Sequence, residues 1–193
     1  SNLEGFAYTT QNTVYQASIT FTSQNIGAKK HERVYKVMRN CYLIGFLLSL
    51  IMSAGIILFN RPLLGLYGVS HAATGTLEKI AYQTAFKRFT YMMIPYFTIT
   101  FMEVGCGVVR GLGKSLSSTV ISLLGACLFR VLWILTIFRL YSTLDILYLS
   151  YPISWTLTGL IFLVFNLSTI KKMIKKRNSE EKEAEPEYVT ENG

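Results

Sequence analysis

Glu103 is a lone carboxylate in an apolar run: Phe89 to Val109 holds no other charge. An ionisable group at membrane depth is costly to keep, so it marks a functional candidate. Tyr96, Thr100, Glu103, Gly107 and Arg110 recur at spacings of 4, 3, 4 and 3, which places them on one helix face. Glu103 lies seven residues before Arg110, roughly 10 Å from the end of the run at 1.5 Å per residue. There it can bind a cation, carry a proton or hold a cationic ligand. The plainer reading is a hydrogen bond or salt bridge near the rim. A second polar row is Thr9, Asn12, Gln16, Thr20, Ser23 and Gly27, at spacings of 3, 4, 4, 3 and 4. Its amides and hydroxyls would be unsatisfied against lipid, so the row is expected to face other helices or a water-filled cavity. Asn12, Gln16 and Thr20 therefore join Tyr96, Thr100 and Glu103 as candidate lining of a coupling or substrate cavity.

Two further residues read as structural. Pro95 removes a backbone hydrogen bond inside its run and predicts a kink. Arg130 continues the small-residue row Ser118, Ser122, Ala126, so it points into the helix bundle, about 14 residues or roughly 21 Å from the end of its run. A tether to backbone carbonyls is its simplest role. Other chemistry is sparse. His31 and His71 have no partner at metal-ligand spacing, so no metal site is assigned. Cys41, Cys106 and Cys127 are odd in number and lie in or beside apolar runs, reading as small apolar filler and not as a disulfide framework. With no Ser/His or Asp pair at catalytic spacing and no metal motif, an enzyme is the least favoured class, and no cofactor is expected.

The elements that position these residues are membrane helices. Hydrophobic residues make up 51% of the chain and charged ones 16%, against about 25% charged in a soluble domain. Cys41 to Phe59 and Ile146 to Ile170 carry no charge, and Leu116 to Phe138 carries only Arg130. A spanning helix needs roughly 20 apolar residues. The expected fold is all-α: a polytopic bundle over residues 1–177, with spans at 5–28, 41–59, 89–109, 116–138 and 146–170. An acidic segment, 178–193, is expected to be disordered. Leu77 to Phe86, in the loop between the second and third spans, reads as an amphipathic helix. Tyr141, Tyr148, Tyr151 and Trp155 read as an interfacial belt.

The net charge of +8 points to the membrane and not to nucleic acid, because twelve of the 19 basic residues sit at alternate span ends: Lys29 to Arg39, Arg110 with Lys114, and Lys171 to Arg177. Excess Lys and Arg mark the cytoplasmic side. The C-terminus is therefore expected in the cytoplasm and the loop from Asn60 to Arg88 outside. The last basic cluster anchors the chain at the inner leaflet of the lipid bilayer.

Three stretches together resemble the multidrug and toxic compound extrusion (MATE) family of secondary transporters. They are FTSQNIGAKKHERVYK (Phe21 to Lys36), GVVRGLGKS (Gly107 to Ser115), and FRVLWILTIFRL with YPISW (Phe129 to Leu140, Tyr151 to Trp155). The likeness covers about Ser1 to Arg177. It implies helices eight to twelve of a twelve-helix transporter, part of its second lobe, with an N-terminal lobe missing from this sequence. It implies export of cationic or amphipathic compounds by antiport against Na+ or H+, in the plasma membrane. Counting back from Arg110, the acidic position of the family's sodium-coupled members falls near Ile99, one turn from Glu103. A flippase of lipid-linked sugars, with the same broad architecture, is the related alternative. A non-transporting membrane subunit or fragment is the alternative of another class.

Overall fold

The computed structural model describes residues 2–59, 62, 76–140 and 143–184. Every element among them is helical: α1 (Asn2–Gly27), α2 (His31–Leu58), α3 (Thr76–Met93), a 3₁₀ turn (Ile94–Tyr96), α4 (Phe97–Gly111), α5 (Ser115–Phe138) and α6 (Leu144–Ala184). Four stretches are long and apolar enough to cross a bilayer: His31–Leu58, Thr90–Gly111, Ser115–Phe138 and Asp145–Glu180. The fifth expected span, 5–28, forms α1. Its 26 residues give about 39 Å, ample length, but it is too polar to join those four on composition.

α4 is the hub, with α1, α2, α5 and α6 all packing on it. Its apolar residues Ile99, Val104, Val108 and Val109 are buried, as are Thr98, Thr100 and Cys106. α5 is the opposite case: Leu123, Leu124, Leu128, Val131, Leu132 and Leu135 are all exposed on it. Such a face suits lipid tails, which are as apolar as the side chains.

Helix ends differ from the expected spans for local reasons. α2 begins at His31, ten residues before the charge-free run, so Arg33, Lys36 and Arg39 lie on helix and not in a loop. The predicted helix Leu77–Phe86 is the start of the longer α3, which meets α4 through the 3₁₀ turn at Pro95. The expected kink is thus a local tightening where proline donates no hydrogen bond. Ser53 donates to the Met93 carbonyl beside it. α6 continues to Ala184, seven residues into the segment expected to be disordered. There Lys176 and Glu180 pair at 3.6 Å across one turn, and Arg177 reaches Glu32 on α2 at 3.2 Å. Residues 185–193, Tyr141, and 60–61 with 63–75 of the expected outer loop lie outside the described residues. At the far rim Lys87 pairs with Asp145 at 2.7 Å, a hydrogen bond that holds the Lys87 ammonium above its usual pKa. Lys87 is exposed and Asp145 only half-buried, so the pair adds little stability.

Two chain reversals share one geometry. After α1, Lys30 N–H donates to the Asn25 carbonyl and Lys29 N–H to that of Ile26, both at 2.9 Å. After α4, Lys114 N–H donates to Val109 at 3.1 Å and Gly113 N–H to Arg110 at 2.9 Å. Both are Schellman closures, which require a left-handed residue. Gly113 supplies it freely at φ 78°, whereas Lys29 adopts φ 57° against its Cβ. Lys29→Gly is therefore expected to raise stability by about 1 kcal/mol and Gly113→Ala to lower it by a similar amount. Thermal midpoints in one detergent check both signs; a lower midpoint for Lys29→Gly would contradict the assignment.

Candidate functional site

A seam between α1 and α5

The crossing of α1 over α4 is built from small residues. Gly107 and Gly111, four apart, face Ser18 and Thr22, also four apart. A Cβ at Gly107 would meet Ser18 and lie 2.9 Å from the Tyr15 carbonyl oxygen; one at Gly111 would lie 2.6 Å from Thr22 Cβ. The repeated glycines of the Arg-Gly-Leu-Gly-Lys turn thus divide two tasks: Gly111 admits α1 and Gly113 closes the helix. On the other flank of α4, Cys106 Sγ lies 3.0 Å from Ser118 Oγ of α5. Glu103 is one turn from both Cys106 and Gly107, so it lies along the seam where α4 runs between α1 and α5.

Glu103 is partly buried. Its carboxylate has no hydrogen-bond or ion-pair partner among the described residues. It lies within electrostatic range of Tyr8 and Tyr15 on α1 and of Arg110 on α4. Tyr8 is half-exposed and Tyr15 buried. Arg110 Nη1 donates to Tyr15 Oη at 2.6 Å, so the base nearest along the helix is engaged elsewhere. Tyr8 and Tyr15 are seven residues apart, as are Glu103 and Arg110, and the two pairs lie side by side across the seam. The sequence reading missed both tyrosines, although that matched spacing of seven was present in the chain.

The structure separates the other candidates. Thr100 belongs to a buried node: its Oγ1 lies 3.2 Å from both Gln11 Oε1 and the Gly45 carbonyl, and Gln11 Nε2 donates to that carbonyl at 3.2 Å. The node joins α1, α2 and α4, and its side chains are taken up by one another. Tyr96 is buried edge-on to Trp155, ring centroids 6.2 Å apart. Pro95 is the break already described. None of the three borders the seam as Glu103 does.

The polar row of α1 faces the other way from the packed side. Gln16 and Thr20 are exposed and Asn12 half-buried, as are Thr9 and Ser23 exposed. The residues α1 buries are Ala7, Gln11, Val14, Tyr15, Ser18 and Thr22. Thr9 and Thr20 donate to carbonyls four residues back, at 2.9 and 3.0 Å. Ser23 makes a 3.4 Å contact to the Gly111 carbonyl. Of the two expected outcomes, packing against other helices of this bundle applies to Ser23 alone. The rest of the row is open.

Arg130 points into the bundle and is held by α6, though not through carbonyls. Its Nε donates to Ser154 Oγ at 3.0 Å, and its guanidinium carbon lies 4.3 Å from the Tyr151 ring centroid and 5.9 Å from that of Trp155. A planar cation stacks on aromatic faces in a way a carbonyl tether does not require. This also corrects the expected belt: Trp155 is buried core, packed on Tyr96 and Tyr151. α5 widens to π-helical turns at Leu123–Leu128 and Ile134–Phe138, on either side of Arg130. Of the cysteines, Cys41 and Cys106 are buried and Cys127 is exposed.

These features define a polytopic α-helical membrane bundle with an ionisable seam open along one flank. The chain belongs to the MatE family, whose sequence model matches residues 1–136. No curated protein sequence matches it. Solved MATE structures share the fold. An inward-facing multidrug resistance MATE family transporter of the MOP superfamily superposes with a TM-score of 0.76 at 16% identity, over 90% of this chain and 39% of that one. An outward-facing structure of such a transporter gives 0.67 at 15%, over 88% and 38%. A MATE crystallised with MaL6 gives 0.70 at 15%, over 82% and 34%. The chain therefore spans little more than a third of the length of these transporters, and such identities carry the fold alone.

Proposed function

We propose that this chain is part of the second lobe of a secondary transporter that exports cationic or amphipathic compounds in exchange for Na+ or H+. The observation that carries the reading is Glu103, a carboxylate without a partner among the described residues, in a seam beside the open polar row of α1. A carboxylate at that depth needs a proton or a cation to offset its desolvation. Exchange of one for the other is the elementary step of antiport. Half-exposed Tyr8 offers an aromatic face to an amphipathic cation, and the row of Asn12, Gln16 and Thr20 offers acceptors. The rest of the transporter supplies the opposite wall, and rocking of the two parts alternates access. The proposed location is the plasma membrane, with the basic ends of α2, α4 and α6 in the cytoplasm.

The test is efflux by the full-length gene product in everted vesicles. A cationic dye is expected to leave against its gradient when a Na+ or H+ gradient is applied, and deletion of the gene is expected to sensitise cells to such compounds. Deletion that leaves drug resistance intact but depletes surface polysaccharide would replace this reading with the flippase. Sidedness is checked separately: single cysteines at Lys36 and Lys87 are expected to react with an impermeant reagent from opposite faces. Reaction of both from one face would overturn the topology.

A further inference from the structure

α1 and α5 pack on α4 from two sides, through Ser18 on Gly107 and Ser118 on Cys106. Glu103 lies in the seam between them, and Arg110 lies two turns farther along, roughly 10 Å away. Arg110 is exposed, yet its guanidinium is engaged on both sides. Nη1 donates to Tyr15 Oη on α1 at 2.6 Å, and Nε donates to Ser118 Oγ on α5 at 3.4 Å. The guanidinium carbon also lies 5.7 Å from the Tyr15 ring centroid.

We infer that Arg110 is a positioning residue, a strap that ties α1 to α5 across the Lys114 end of the seam and closes Glu103 off from that face of the membrane. This rests on the reading of the seam as the transport path. The chemistry of arginine suits the task, because its rigid fork reaches two acceptors at once where a lysine ammonium acts as a point charge. The two ends are unequal. The Tyr15 bond is short and charge-assisted, and Tyr15 is buried beside the Gly107 crossing, which fixes it. The Ser118 bond is long, and Ser118 Oγ is shared with Cys106 Sγ at 3.0 Å and the Cys106 carbonyl at 3.5 Å. The Tyr15 bond therefore carries most of the strap, and without it only the long Ser118 contact bridges the Lys114 end of the seam.

The experiment uses the full-length product in vesicles, with Tyr8→Cys as reporter beside Glu103 in the seam and other reactive cysteines, Cys127 included, changed to Ser. An impermeant maleimide is applied from each face in turn. Tyr15→Phe removes only the acceptor oxygen, and Arg110→Lys keeps the charge but not the fork. Each is expected to raise the labelling rate from the Lys114 face about tenfold, the shift a lost charge-assisted hydrogen bond produces in a two-state opening, and to leave the rate from the other face unchanged. Unchanged rates from both faces, or an equal rise from both, would overturn the strap. Tyr15→Phe decides the matter if Arg110→Lys does not fold. Dye efflux by the same product without the reporter separates the two ideas. Efflux with unresponsive labelling sinks the strap alone, whereas responsive labelling without efflux sinks the transport reading and leaves the strap standing.

Discussion

Full-length transporter carrying Glu103→Gln is expected to reach the membrane in normal amount and to lose gradient-driven efflux down to background. Gln keeps the shape of the side chain and removes its ability to take up or release a proton or to bind a cation by charge. Because the carboxylate makes no hydrogen bond or ion pair with a described residue, folding loses nothing with the charge; removing a partly buried charge relieves desolvation. Glu103→Asp, one methylene shorter, is expected to retain part of the activity. The comparison that gives the result meaning is Thr100→Val, one turn away. That change leaves Gln11 Oε1 without the Thr100 hydroxyl in a buried node, which costs about 1–2 kcal/mol. It is expected to lower the amount of folded protein and to leave efflux per folded molecule near normal. Near-normal efflux by well-expressed Glu103→Gln protein would end the coupling role.

The second large effect is expected from Gly107→Leu, which should prevent α1 from seating on α4. The position where its Cβ would sit meets Ser18 and lies 2.9 Å from the Tyr15 carbonyl oxygen. Backbone cannot rotate aside as a flexible side chain does, so the helices must separate. Overpacking of this kind costs about 3 kcal/mol, and membrane helices associate mainly through such close packing. The Arg110–Tyr15 hydrogen bond and the Ser23–Gly111 contact cross the same interface and would go with it. Gly55→Ala is the control, since nothing lies within 4 Å of a Cβ there; in the last turn of α2 it is expected to be neutral or to stabilise by up to about 1 kcal/mol. Thermal midpoints by fluorescence-detected size exclusion separate the two variants. Equal midpoints would mean that the α1–α4 crossing is not formed this way.

Helix content, the four apolar spans and the family were legible in the chain itself. Bilayer thickness imposes a minimum run of apolar residues, and that demand is local in sequence. Glu103 stood out for the same reason: a charge in a run of uncharged residues is visible without coordinates. Periodicity also grouped Asn12, Gln16 and Thr20 correctly on one face of α1. Periodicity does not say which of two polar rows a helix buries, because Gln11, Ser18 and Thr22 form an equally regular row. Only the tertiary structure decided that these three go inside, where Gly107 and Gly111 let α1 approach and where Gln11 finds Gly45 and Thr100. The outward row is left open for that reason.

The partners of the charged residues were beyond sequence in the same way. Arg130 was placed in the bundle by its small-residue row, but Ser154 and the Tyr151 ring come from another helix. Tyr15 meets Arg110 across 95 residues of chain. A helix face is set by the residues three and four apart along one element, whereas what that face touches is set by how separate elements cross. The chain by itself determined a membrane-embedded bundle with one costly carboxylate. The crossing of α1 and α5 over α4 decided that the carboxylate lies in an open seam, because small residues at both crossings hold the two helices to the flanks of α4 and leave Glu103 between them.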